Sequence, residues 1–346
     1  SLQPLAIQEN VGSGPVATPM DRPNAWLLAK VHAQCADLHY QTAIHHLLET
    51  HMVSGVFRIA AARRLHPDHP LSQLLAPHFE FTLAANDRLF GGRLFRLLDR
   101  TFAARAAGIF DLARLAWSEW DFSARALTSD LVSRGVDDRE VLPQYWYRDD
   151  ALDIWDATNR YVEGVLGSWY RSDEDVREDY ELEGWLRELG AESGGQVRGL
   201  PDVSTTQALF DFVTEVIFRA TAGHAAATSS QFDEYAFVPN ASGALLSPFP
   251  TPGSDSDLAD ALPGRSAALA QIALLGSLAG EKRTSLMRPR ARPALGRDVA
   301  FEAYHAVGSF RRALASCQSR VEVRNRALDV PYGNLAPMRI PASTTL

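Results

Sequence analysis

Between residues 25 and 64, apolar side chains recur at helical spacing. Leu27, Leu28, Val31, Cys35, Leu38, Ala43 and Leu47 lead into Val53, Val56, Phe57, Ile59 and Ala60. The stretch holds one glycine and no proline, so it predicts a single long helix, enclosed by protein along most of its length. His66-Pro67 through His69-Pro70 ends it, because proline cannot continue the hydrogen-bond ladder. The same reading predicts helices over 149–171, 181–189, 205–229, 258–279 and 298–328. Loops with Ser, Gly and Pro chemistry separate them at 190–201, 239–264 and 287–296. Residues 1–24, punctuated by Pro and Gly, read as an extended lead-in. Strand-like alternation is scarce and no internal repeat is present. The pattern therefore predicts a mainly α fold, with one domain across residues 1–346.

Composition narrows the function. The chain is long enough to bury a sizeable core, with 46% hydrophobic and 22% charged residues. A net charge of −8 excludes a protein that binds nucleic acid through a basic face. The local cluster Arg288, Arg290, Arg292 and Arg297 is interrupted by Pro289 and Pro293 and reads as a solvated loop. With only Cys35 and Cys317, no disulfide framework and no cysteine metal motif arises. Cytoplasmic residence is the default, and localisation is otherwise not legible. No apolar run reaches the roughly 18 to 20 residues of a transmembrane segment, and no signal-peptide pattern opens the chain. A phosphate loop, a G-x-S-x-G elbow and an H-E-x-x-H pair are all missing. Ser172-Asp173-Glu174-Asp175 reads as a solvated helix start, and Glu163 and Glu215 as helix acids that are exposed or salt-bridged.

Six separated segments carry a resemblance. They are Leu5-Ala6-Ile7-Gln8; Trp26-Leu27-Leu28-Ala29-Lys30; His69-Pro70-Leu71 with Pro77-His78-Phe79; Tyr147-Arg148-Asp149-Asp150-Ala151-Leu152; Gln231-Phe232-Asp233 with Val238-Pro239-Asn240-Ala241; and Ile340-Pro341. In order and approximate spacing they resemble the lipoxygenase family across the whole chain. The resemblance implies a lipoxygenase-like helical catalytic domain with long central metal-site helices, lacking the family's N-terminal β-barrel. It implies one non-haem iron that takes a hydrogen from a bis-allylic carbon, after which dioxygen adds. A long-chain unsaturated small-molecule substrate follows, and an N-terminal partner domain or chain would supply the missing region.

The resemblance also places the family's iron ligands. Two histidines five residues apart fall on Gln41 and His46, a spacing that needs a π-type widening to converge. The second metal helix puts its pair, four apart, on His224 and Thr228. The last ligand is the main-chain carboxylate of the final residue, Leu346. His46, His224 and Leu346 remain as metal ligands, whereas Gln41 stands where the family has a histidine and Thr228 where it has a His or Asn, and a threonine hydroxyl is a poor iron ligand. His45 would face one site with Gln41 only if the helix lacked its bulge. His32 and His39 read as partly exposed helix histidines, His51 as structural, and His66, His69 and His78 as packing or capping groups.

Three expectations stand open. The pocket works without metal, with His46, His224, Gln41 and Thr228 as catalytic hydrogen-bonding or acid–base groups for isomerisation or cyclisation of a polyene. Alternatively, iron persists on a His/His/carboxylate set and the enzyme is a dioxygenase forming lipid hydroperoxides. The third is a non-catalytic lipid-binding or partner subunit. The cofactor is accordingly none or iron.

Overall fold

Pro23 opens the first long helix, where its missing N–H would have no partner in any case. In the computed structural model, which describes residues 3–229, 231–254, 257–279, 285–287 and 297–344, the chain then stays helical as far as Arg64. The segment is α-helical over Pro23–Tyr40, π-helical over Gln41–Met52 and α-helical again over Val53–Arg64. It stops at Leu65, which turns extended just ahead of the proline-rich stretch.

The chain divides into two units, Ser1–Leu47, Arg88–Leu115 and Ser230–Gly280 forming one, and Leu48–Asp87, Ala116–Ser229 and Glu281–Leu346 the other. In the first unit the lead-in is not simply extended. Ile7–Asn10 and Ser13–Ala17 pair antiparallel, with Ile7 opposite Ala17, and Gly12 at φ 73° makes the turn. This hairpin folds back because Ile7 packs with Trp26 against Ala17, Ala29 and Phe249. The helix expected over 258–279 is broken in two, Leu258–Ala261 and Arg265–Leu278, at Pro263 and Gly264. Buried Gln271 accepts from the Gly243 N–H at 2.8 Å and donates to the carbonyls of Tyr235 and Ala241, so the connecting loop is pinned by fully used amide groups.

In the second unit, Trp146–Leu166 packs against both Arg297–Asn325 and Thr206–Phe218. Val53–Arg64 lies against Tyr180–Gly190, where Phe57, Phe122, Trp185 and Phe212 form one aromatic cluster with ring centroids 5.2 to 6.2 Å apart. Arg63 and Arg64 both donate to Glu188 across the same two helices. The acidic run is a helix start as expected: Ser172 and Asp175 form a reciprocal capping box ahead of Asp173–Glu178. Glu163 is exposed, whereas Glu215 is buried and ion-paired with Arg219 at 3.0 Å. The fold is mainly α. Among the described residues the strands are confined to the hairpin, apart from one isolated bridge, and no helix is long and apolar enough to cross a membrane. The cluster expected at Arg288, Arg290 and Arg292 lies outside the described residues.

Candidate metal centre

Helix pitch changes where the histidines sit. Gln41–Met52 is π-helical, and Arg219–Gly223 is π-helical immediately before His224. In α geometry, residues five apart diverge by roughly 140°, but a π-helix closes its hydrogen bond at the fifth residue and brings them into one row. Gln41, His46 and His51 therefore share a row. His45 is half-buried, with its ring edge-on to Tyr40.

His46, His51 and His224 are buried, and each offers a ring nitrogen within 4.8 Å of the others. The His51 and His224 rings meet edge to face at 86°, with centroids 5.0 Å apart. Burial pushes His51 down to about 4, against the opposing effect of its hydrogen bond to Asn86. The neutral imidazole favoured by burial is the form that ligates metal. Nitrogens bound to one first-row cation at about 2.1 Å stand at most about 4.2 Å apart, so small side-chain rotations would complete the closure. Three buried imidazoles suit iron or a similar divalent cation. The residues fit such a group.

Asn86 makes two bonds to His51. Its Nδ2 donates to the His51 carbonyl at 2.9 Å, and its Oδ1 lies 3.0 Å from His51 Nδ1. Gly55, one turn further along the helix, leaves room for that amide: a Cβ there would stand 2.7 Å from Asn86 Nδ2.

The other expected site residues fall as follows. His46 and His224 come together. Gln41 is half-buried at the first residue of the π segment. Thr228 is buried one turn beyond His224, and its hydroxyl donates to the His224 carbonyl. Thr214 and Thr221 do the same to Phe210 and Ile217, each at 2.7 Å. Leu346 lies outside the described residues. The tail before it is buried and tied down: His78 Nδ1 donates to the Ala342 carbonyl at 2.9 Å, Ser343 donates to the Glu80 carbonyl at 2.6 Å, and the Thr344 and Thr82 hydroxyls share a bond of 2.7 Å.

His32 and His39 are half-buried on their helix, as expected, and His69 caps Pro70–Leu75 by accepting from the Leu71 N–H. Sequence reasoning passed over His51 as part of the cluster. The signal was available, since His51 follows His46 by the same five residues that separate His46 from Gln41.

The lipoxygenase family profile matches residues 8–279. Polyunsaturated fatty acid lipoxygenase ALOX8 of Mus musculus is 32% identical over 100% of this chain and 52% of its own length. Polyunsaturated fatty acid lipoxygenase ALOX15 of Mus musculus is 33% identical over 100% of this chain and 53% of its own. Among solved structures, a lipoxygenase deletion variant in complex with arachidonate superimposes with a TM-score of 0.92 at 28% identity, covering 99% of this chain and 52% of that one. Coral 8R-lipoxygenase gives 0.91 at 28% identity, covering 99% and 53%. The chain thus spans about half the length of the relatives it matches.

Proposed function

Because the chain belongs to the lipoxygenase family, we propose that it acts on a long polyunsaturated fatty-acyl substrate, at a metal centre that includes His46 and His224. One observation carries the reading: both residues lie on helices with a π-helical segment at or next to them, and their buried imidazoles converge with that of His51. The names of the relatives, all polyunsaturated fatty acid lipoxygenases, support the substrate class. Non-haem iron, when bound, supplies the one-electron oxidation that removes a bis-allylic hydrogen. The chain's own contribution is to hold two buried imidazoles in place beside each other.

A second reading rests on Gln41 and Thr228, which bring no imidazole to the two remaining family positions. With weaker metal binding, the same pocket would orient a polyene for isomerisation or cyclisation, with His46 or His224 moving a proton.

Oxygen uptake and product analysis on arachidonate, with the chain loaded anaerobically with ferrous iron, separate the two. Stoichiometric oxygen consumption that disappears in His46→Ala and His224→Ala supports the dioxygenase. Conversion of substrate with no oxygen consumed supports the isomerase. An unchanged substrate under both conditions contradicts any turnover of this lipid class.

A further inference from the structure

The helix Val53–Arg64 carries three arginines, and two of them are neutralised. Arg63 and Arg64 share Glu188, at 2.8 and 2.6 Å. Arg58 is half-buried, and among the described residues no carboxylate pairs with its guanidinium. It lies where two adjoining depressions meet, of about 590 and 490 Å³, each within the size range of small-molecule sites. Arg58, Ala61, Ala62 and Leu65 stand at i, i+3, i+4 and i+7, so one stripe of the helix lines the smaller depression. Ala76, Pro77 and Phe79 line both, and Phe81 and Leu83 extend the larger one.

Two large apolar side chains stay open to water here, Phe81 at 39% and Leu83 at 45% exposure. Phe81 is also held at φ 66°, a left-handed conformation that disfavours any residue with a Cβ. Strain retained to keep an aromatic ring at the rim of a groove is the mark of a ligand-facing position. A cation without a counter-charge, beside an uncovered apolar wall, complements a carboxylate on a long apolar tail. The guanidinium can donate two parallel hydrogen bonds to the carboxylate, and the wall takes methylenes out of water. Glu80 is the acid among the lining residues, and it repels a carboxylate from the larger depression. That fixes the orientation. We propose that this groove binds a free long-chain carboxylic acid, with its carboxylate on Arg58 and its chain along Pro77, Phe79, Phe81 and Leu83. The site is separate from the metal centre, since His46, His51 and His224 line neither depression. Its occupancy depends neither on metal nor on turnover.

The test photolabels the full chain with a palmitic acid probe that carries a diazirine near its methyl end, and maps the label by mass spectrometry. Palmitate has no bis-allylic carbon, so lipid turnover does not enter the readout. Label is expected on residues 76–84 and should saturate as the probe is titrated. Arg58→Leu should weaken that labelling by roughly 10- to 100-fold, and Arg58→Lys by less, since it keeps the charge and loses the planar fork. The matching long-chain alcohol probe should label the wild-type chain no better than it labels Arg58→Leu. Phe81→Gly relieves the left-handed backbone and removes the apolar wall, so it should keep or raise Tm while labelling falls severalfold. Thermal unfolding of each variant is followed in parallel, and Arg58→Leu should melt with the wild-type chain. His224→Ala should leave the label on residues 76–84 unchanged.

Label confined to residues outside 58–84 overturns the proposal, as does label on residues 76–84 that Arg58→Leu leaves at wild-type affinity. An alcohol probe that labels as well as the acid would show an apolar patch with no preference for an anion, and also overturns it. Labelling only when the probe is presented in phosphatidylcholine vesicles would reassign the groove to a membrane surface. A change of oligomeric state in Arg58→Leu, with no label from the free acid, would reassign it to contact between copies of the chain. Loss of the label in His224→Ala would place the acid in the cavity of the metal centre instead.

Discussion

The Thr228 hydroxyl donates to the main-chain carbonyl of His224, four residues earlier on the same helix, at 2.5 Å. A hydroxyl committed to its own backbone has little to offer a cation. Thr228→His should place an imidazole at the i+4 position beside His224 and tighten divalent-metal binding by at least about tenfold, or roughly 1.4 kcal/mol. Gln41→His should act in the same direction from the other helix. Metal retained after desalting, measured by elemental analysis, checks both, and unchanged retention in the double variant contradicts the assigned positions.

Acid should loosen the protein through His78. Burial pushes this imidazole down to about 4, partly opposed by its bond to the Ala342 carbonyl, whereas an unfolded histidine takes its proton near 6.5. The unfolded chain thus binds more protons between those two values, and stability falls as pH drops through that window, by up to roughly 3 kcal/mol. His51 contributes with the same sign. Urea midpoints at pH 7.5 and 4.5 should show a shallower acid loss for His78→Gln than for wild type. Parallel slopes would contradict this.

Glu215 and Arg219 form an ion pair at 3.0 Å with side chains only 6% and 9% exposed. The Arg219 guanidinium also lies over the rings of Trp120 and Phe122, while Glu215 accepts from the Leu127 N–H and the Trp155 indole. Glu215→Ala leaves a buried cation without its carboxylate and should cost about 3 to 5 kcal/mol. Adding Arg219→Met should return a large part of that, since the stranded charge goes too. Chemical denaturation of the single and double variants checks the sign of the coupling.

The hydroxyl pair of Thr82 and Thr344 is fully buried. Thr82→Val should cost about 1 to 3 kcal/mol by orphaning the Thr344 hydroxyl, and Thr344→Val on top of it should cost little more. A double-mutant cycle in urea measures the coupling, and additive losses would show that the pair is not a unit.

The long helices were legible because their cores are periodic: Leu28, Val31, Leu38 and Leu47 mark the first one and are all buried. The short helices between residues 70 and 133, such as Pro70–Leu75 and Leu127–Ser133, were not predicted, since six or seven residues give too little period to read. The hairpin was missed because its strands are mostly exposed and one residue pairing is irregular. At the site, His46 and His224 came from the resemblance, not from any local pattern. His51 is different: its position is set by helix pitch and by Asn86, 35 residues away in sequence, and a linear pattern holds no record of that contact.

The π-helical run has a consequence for how this chain can vary. Each residue in a helix advances its successors by about 100° and 1.5 Å, so deleting or inserting one residue within Gln41–Met52 rephases everything up to Arg64. Phe57 would swing out of its aromatic cluster, and Arg63 and Arg64 away from Glu188. Side chains along the run can be exchanged one at a time, but its length is fixed at both ends. The segment behaves as a ruler, and a change of residue count there is the one kind of mutation that damages the histidines and the core together.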